Sequence, residues 1–221
     1  MSIKRKALAA AAAVTVAGGI TAAGALSAGA ATPQCGPHCI GVFSPRFGPG
    51  FIESVRHGVA AVGQPTILGR ASGSDPAGDF MPSAPGAGMV SDFFAAGMVS
   101  AAVNSRFGDL PAVQLKYSPS GHATGLCSAV AETAFENEAL SLQPGSTPGT
   151  TVWIIDPDVA PASEAPDFAI INGSTTDLSR PFAMTYLHKP PARIRLDHLD
   201  LSDDGTAPVT QLWYRFFGIV S

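Results

Sequence analysis

Glycine and proline punctuate this chain so closely that few stretches could sustain a long helix: 24 glycines and 19 prolines are spread over 221 residues. Proline removes a backbone donor and clashes with the preceding helical turn, and glycine weakens any regular element it interrupts. Between the breaks stand short β-branched and aromatic runs: Ile40–Phe43, Phe51–Val55, Thr66–Leu68, Met89–Phe94, Met98–Val103, Ala112–Tyr117, Thr151–Ile155, Phe168–Ile171, Phe182–Tyr186, Arg193–Leu196 and Gln211–Phe217. Runs of this kind, with turn signals about every ten residues, predict an all-β sandwich or barrel. Two copies of Gly-Met-Val-Ser, at Gly88–Ser91 and Gly97–Ser100, read as the two strands of a hairpin. Ala129–Leu140 competes as a helix, with Val130 and Ala134 on one face, but Asn137 and the flanking Gly125 and Pro144 fit a loop between strands equally well.

The amino terminus reads as an export signal spanning residues 1–30. Lys4, Arg5 and Lys6 precede an apolar Ala/Gly-rich run, and Ala28-Gly29-Ala30 supplies the small residues that signal cleavage needs. The expected mature chain, residues 31–221, is one all-β domain, secreted and extracellular. Removing the signal takes three of 13 basic residues and none of the 17 acidic ones, leaving 10 against 17, a net charge of −7. So negative a chain has no surface for neutralising phosphates, which argues against nucleic acid as a partner. No other apolar run reaches membrane length, so no membrane contact is expected after signal removal.

Export bears on the cysteines. Outside the cytoplasm thiols oxidise, and Cys35 and Cys39 are expected to pair with each other. A low-pKa redox cysteine needs a helix N-terminus or a nearby cation. Strand-like Ile-Gly-Val-Phe-Ser-Pro follows Cys39 instead, so the motif reads as a staple at the start of the first strand. Cys127 is left over, and its pairing with Cys35 or Cys39 stays open on sequence alone.

Three stretches share an order of parts: Phe51–Pro82, Thr124–Asp156 (opened by Gly-Leu-Cys and closed by Val-Trp) and Arg193–Trp213. This order resembles the repeat of ricin-type β-trefoil lectins, Gly-x-Cys-Leu-Asp, then Gly-Thr-x-Val-x-Leu-x-x-Cys, then Gln-x-Trp, in a secreted actinobacterial protein. The resemblance implies a β-trefoil; a two-sheet β-sandwich is the alternative. It also implies a saccharide site built from a carboxylate, a stacking aromatic and an amide. In the middle repeat the carboxylate position falls on Ala129, the aromatic on Gln143 and the second cysteine on Gly145, so the shape is kept and the chemistry lost. In the first repeat Glu53 could be the carboxylate, with Gly69 where the ring should be. The third repeat keeps most: Asp197 as the carboxylate, Gly205-Thr206 at the turn, and Trp213 either stacking on sugar or closing the repeat as a core residue.

No enzyme motif is present. Gly-x-Ser-x-Gly, His-Glu-x-x-His and the phosphate-binding glycine loops are all missing, and the five histidines are scattered. Asp197, Asp200, Asp203 and Asp204 could hold a hard cation, but the spacing of a calcium loop is missing and a solvated acidic turn is the plainer reading. Asn172-Gly173-Ser174 reads as a turn. No cofactor or metal is expected. The sequence therefore predicts a non-catalytic binding module with a polysaccharide or glycan as partner through Asp197, Trp213 and Glu53. A structural or interaction protein with decayed sugar sites is the alternative, and a secreted hydrolase is the least supported reading.

Overall fold

In the computed structural model, the described residues are 39–217, apart from 49, 73–74 and 162–166. The expected signal, Cys35 and His38 lie outside them. The chain runs through β1 (Ile40–Phe43), β2 (Phe51–Val55), β3 (Thr66–Arg70) and β4 (Phe80–Met89), then through helices α1 (Val90–Ala95) and α2 (Ala101–Phe107). It continues with β5 (Pro111–Tyr117), β6 (Leu126–Ala129), β7 (Ser141–Pro144) and β8 (Trp153–Asp156). The last group is β9 (Phe168–Asn172), β10 (Phe182–Thr185), β11 (Ala192–Arg193), β12 (Arg195–His198) and β13 (Leu212–Phe217). Six strands close into an antiparallel ring: β1 pairs with β4, β4 with β5, β5 with β8, β8 with β9, β9 with β13, and β13 with β1. Three hairpins, β2–β3, β6–β7 and β10–β12, cap it. A closed barrel with one hairpin per repeat is the trefoil plan, not that of a two-sheet sandwich.

The hairpins repeat one register. Glu53 pairs with Leu68, Ser128 with Leu142, and Met184 with Leu196, and the three leucines are fully buried. Where the hairpins meet, backbone bonds run in a cycle: Thr66 N–H to Leu140 C=O (3.1 Å), Leu140 N–H to Ile194 C=O (3.0 Å) and Ile194 N–H to Thr66 C=O (3.5 Å). Each hairpin thereby satisfies backbone groups that a free sheet edge would leave open. Phe80, Trp153 and Trp213 fill matching barrel positions, paired with Ile40, Val113 and Phe168. The Trp153 indole N–H donates to Ser128 C=O at 2.8 Å, and that of Trp213 to Met184 C=O at 3.1 Å.

The β8 and β9 strands, Trp-Ile-Ile-Asp and Phe-Ala-Ile-Ile-Asn, are apolar on both faces, where a barrel wall open to water would alternate. Trp153 and Ile170 join the interior core; Ile154, Ala169 and Ile171 point outward into a second one. That outer core is closed by Val90, Phe93, Val99, Val103 and Phe107 of the helical segment between β4 and β5. The helices thus cover part of the barrel wall.

Here the expected Gly-Met-Val-Ser hairpin is corrected. Met89 ends β4, and the strands expected at Met89–Phe94 and Met98–Val103 give way to α1 and α2. Val103 and Phe107, four residues apart, lie on one face of α2, and Val99 just before its cap joins the same core. Ser100 caps α2 by accepting from Val103 N–H at 3.2 Å. Gly97, at φ 72°, makes the break between the helices. Residues 130–140 take the loop reading, apart from isolated bridging to neighbouring hairpins.

The expected Cys35–Cys39 pairing lies partly outside the described residues, and Cys127 is free and buried. Burial pushes the Cys127 thiol up to about 11, so it is a poor nucleophile. A Cβ placed on Gly145 would lie 2.9 Å from Cys127 Sγ, and this is the position where the lectin-like repeat carries its second cysteine. The substitution Gly145→Cys should therefore let the new thiol bridge to Cys127 without moving the backbone. In the chain-entropy model, closing a loop of this size stabilises by about 3 kcal/mol. Thiol titration and thermal melts of the oxidised and reduced variant check this, and a melting point that does not rise on oxidation would contradict it.

Candidate functional site

The residues singled out in the sequence do not assemble into one site. Trp213 is fully buried in the barrel and takes the core reading. Glu53 is fully buried inside the hairpin cap, its Oε1 bonded to the Ser128 hydroxyl. Asp197 sits half-buried on β12, opposite Ala183, and its Oδ1 accepts from the His198 backbone N–H at 2.8 Å. Its surroundings are polar. The His198 ring stacks on Phe182 at 4.3 Å, and Arg180 pairs with Asp200 at 2.5 Å. The ring required for a sugar platform beside Asp197 is thus an imidazole lying on a buried phenyl group, not Trp213.

The acidic turn is spent on itself. Asp204 Oδ1 accepts from Ser202 Oγ, Thr206 Oγ1 and Thr206 N–H at 2.5, 2.7 and 3.1 Å, which holds its carboxyl down at about 2. Asp200 is engaged by Arg180. Asn172 is fully buried, accepting from Ser174 and donating to Thr150 C=O, so it serves as a turn and is closed to modification in the fold. Among the described residues no three His, Cys, Asp or Glu side chains converge as a metal site would need.

The helical segment builds something no motif announced. A cleft of about 500 Å³ opens where the end of α2 and residues 108–110 face the end of β8 and the turn after it. Its polar lining includes Asn104, Arg106, Asp109, Asp156 and Asp158. Asp156 is half-buried and accepts from Asp158 N–H at 3.1 Å. Its carboxyl is pushed up, mainly by burial and further by the Asp158 charge, while the Asp158 amide and Arg106 pull it down. The Arg106 guanidinium lies over the Phe107 ring at 5.4 Å. Asn104 Oδ1 is out of solvent and has no hydrogen-bond partner among the described residues. A second hollow of about 430 Å³ lies at the other end of the helical pair, lined by small and hydroxyl residues such as Gly97, Ser100, Thr133 and Thr175. Ser100 and Thr175 already serve local turns, so the first cleft is the better-equipped site. Acceptors, an amide and a guanidinium facing one space suit a polyhydroxylated ligand, because each hydroxyl both donates and accepts. The signal that could have located it was the helical spacing of Val103 and Phe107 after the Ser100 cap.

No family model matches the sequence, and none of the curated proteins matches it. Solved structures do match. A designed threefold-symmetric protein, ThreeFoil, superposes with TM-score 0.52 at 10% identity, covering 80% of this chain and 97% of that one. The fold is a β-trefoil. A mosquitocidal holotoxin superposes with TM-score 0.51 at 9% identity over 81% of this chain, which spans 17% of the toxin's length. At such identities the likeness is one of fold alone. In this β-trefoil the helical pair between the first and second repeats is a departure from threefold symmetry.

The placement of Trp213 has a measurable consequence. Trp213→Ala should destabilise the protein by about 3–5 kcal/mol, as emptying a large aromatic site in a closed core does. Chemical denaturation checks this. A loss below about 1 kcal/mol would put the indole outside the core.

Proposed function

We propose that this chain is a secreted, non-catalytic binding module of lectin type, taking a polysaccharide or glycan in the cleft between α2 and the end of β8. The carrying observation is that cleft: carboxylates, an amide and a guanidinium around one space, on a β-trefoil whose threefold symmetry is broken at this point. Asp156 and Asp109 act as acceptors for sugar hydroxyls, and Asn104 and Arg106 supply donors. The ricin-type repeat resemblance supports the saccharide as ligand. Export rests on the signal at residues 1–30, with the Cys35–Cys39 staple as its companion. No helix among the described residues is long and apolar enough to cross a membrane.

One observation favours a second reading, an interaction protein whose ancestral sugar sites have decayed. Glu53 and Trp213, two of the three residues the lectin pattern marks, are withdrawn into the core. Under that reading Asp197 is the surviving remnant and the cleft serves a protein partner.

Calorimetric titration with polysaccharides of defined composition, on wild type, Asp156→Asn and Asp197→Ala, separates the two. The proposal expects Asp156→Asn to weaken binding at least tenfold while Asp197→Ala leaves it within twofold. The reverse pattern would place the site on β12, and no binding to any saccharide would overturn the lectin reading.

A further inference from the structure

Glu53 is the buried group that the proposed function does not use. It sits at the middle of β2, fully out of solvent, where the first and second hairpins meet. Its Oε1 bonds the Ser128 hydroxyl of β6, which itself lies 3.5 Å from Thr66 Oγ1 of β3. Its Oε2 has no hydrogen-bond partner among the described residues. The matching position in the third hairpin is Met184, so nothing polar completes the set. Ser128 also carries the Trp153 anchor on its carbonyl, so the Glu53–Ser128 link joins the cap to the barrel core.

An unpartnered buried oxygen is tolerable on a neutral carboxylic acid and very costly on a carboxylate. No cation among the described residues offsets it. Among the described residues, burial raises the Glu53 carboxyl, the Ser128 hydroxyl lowers it by less, and no charged side chain contributes. The titratable groups nearby act elsewhere: Asp75 and Asp79 on Tyr117, and Lys116 on Cys127 beside Ser128. Glu138, also buried, differs in that its Oε1 accepts two backbone N–H groups, from Ala131 and Glu132.

We propose that Glu53 is a proton-operated latch: as the neutral acid it ties the first hairpin to the second, and as the carboxylate it loosens the cap they share. In the latched state the Ser128 hydroxyl donates to Glu53 Oε1 and accepts from Thr66 Oγ1, and the carboxyl they hold is uncharged.

The ordinary carboxyl value is 4.5, and burial raises Glu53 to about 7. Between those values the unfolded chain gives up a proton that the folded chain keeps, so raising the pH favours unfolding. The stabilising effect is full below 4.5 and lost as the pH passes 7. Across that gap the latch should change the unfolding equilibrium constant by about 300-fold. Opening is expected first at the hydrogen-bonded cycle of Thr66, Leu140 and Ile194.

Denaturation of wild type and Glu53→Gln between pH 4 and 9 tests this, with hydrogen exchange at those three amides. Wild type should lose most of the 300-fold between pH 5 and 8, with faster exchange at the cycle beyond the intrinsic effect of pH. Glu53→Gln should lack that component and be the more stable of the two at pH 8. The same fall in both proteins would assign it to Glu138 or Asp156 and overturn the latch. Should Glu53→Gln not fold, carbon-13 titration of the glutamate carboxyls in wild type decides: a Glu53 carboxyl titrating near 7 supports the latch, and one titrating near 4.5 overturns it.

Discussion

Pairing of the first strand with the last is the contact on which the rest of the structure depends. Ile40 through Phe43 lie against Phe217 through Tyr214, the two ends of the described chain, and this pairing closes the barrel. A closed sheet has no edge, so every strand of the ring has two neighbours and its backbone groups are met. Closure also fixes an inside, where Trp153, Trp213 and Phe80 pack, and it places the three hairpins close enough to exchange backbone bonds in a cycle. The cost of bringing such distant segments together is conformational entropy, and the interior and cap cores must offset it.

From closure follows the position of the cleft. A ring with apolar residues on both faces of β8 and β9 needs an outer cover, and the helices between β4 and β5 provide it. Covering the wall brings the end of α2 over the end of β8, and the polar residues of both meet there. The cleft is therefore a by-product of a packing requirement. Glu53 belongs to the same logic from the other side. The cap repeats its leucines faithfully, but the residues paired with them diverge to Glu53, Ser128 and Met184, and the acid is left with a single partner.

Much of the scaffold was legible in the sequence because it depends on local signals. Strand runs between glycines and prolines located β1, β2, β3, β5, β9 and β10 closely, and the positions that the repeat resemblance matched, Cys127 and Gly145, lie side by side. The helical pair was misread because Gly-Met-Val-Ser is short and apolar in both copies, so it suits either period; the Val103–Phe107 spacing and the Ser100 cap were the informative features. The site was less legible. Asp156 and Asn104 lie far apart in sequence and belong to no motif, and only closure of the barrel brings their segments together. Trp213 could be read as platform or core, and the side its strand turns inward decided between them.

The central claim is that a symmetry-breaking helical pair makes this β-trefoil's ligand site. Amide chemical-shift mapping during titration with saccharides of defined composition tests it most directly. The account predicts perturbations concentrated at residues 104–110 and 156–159, with the third hairpin unchanged. Perturbations centred on Asp197 and His198, with residues 104–110 silent, would contradict it.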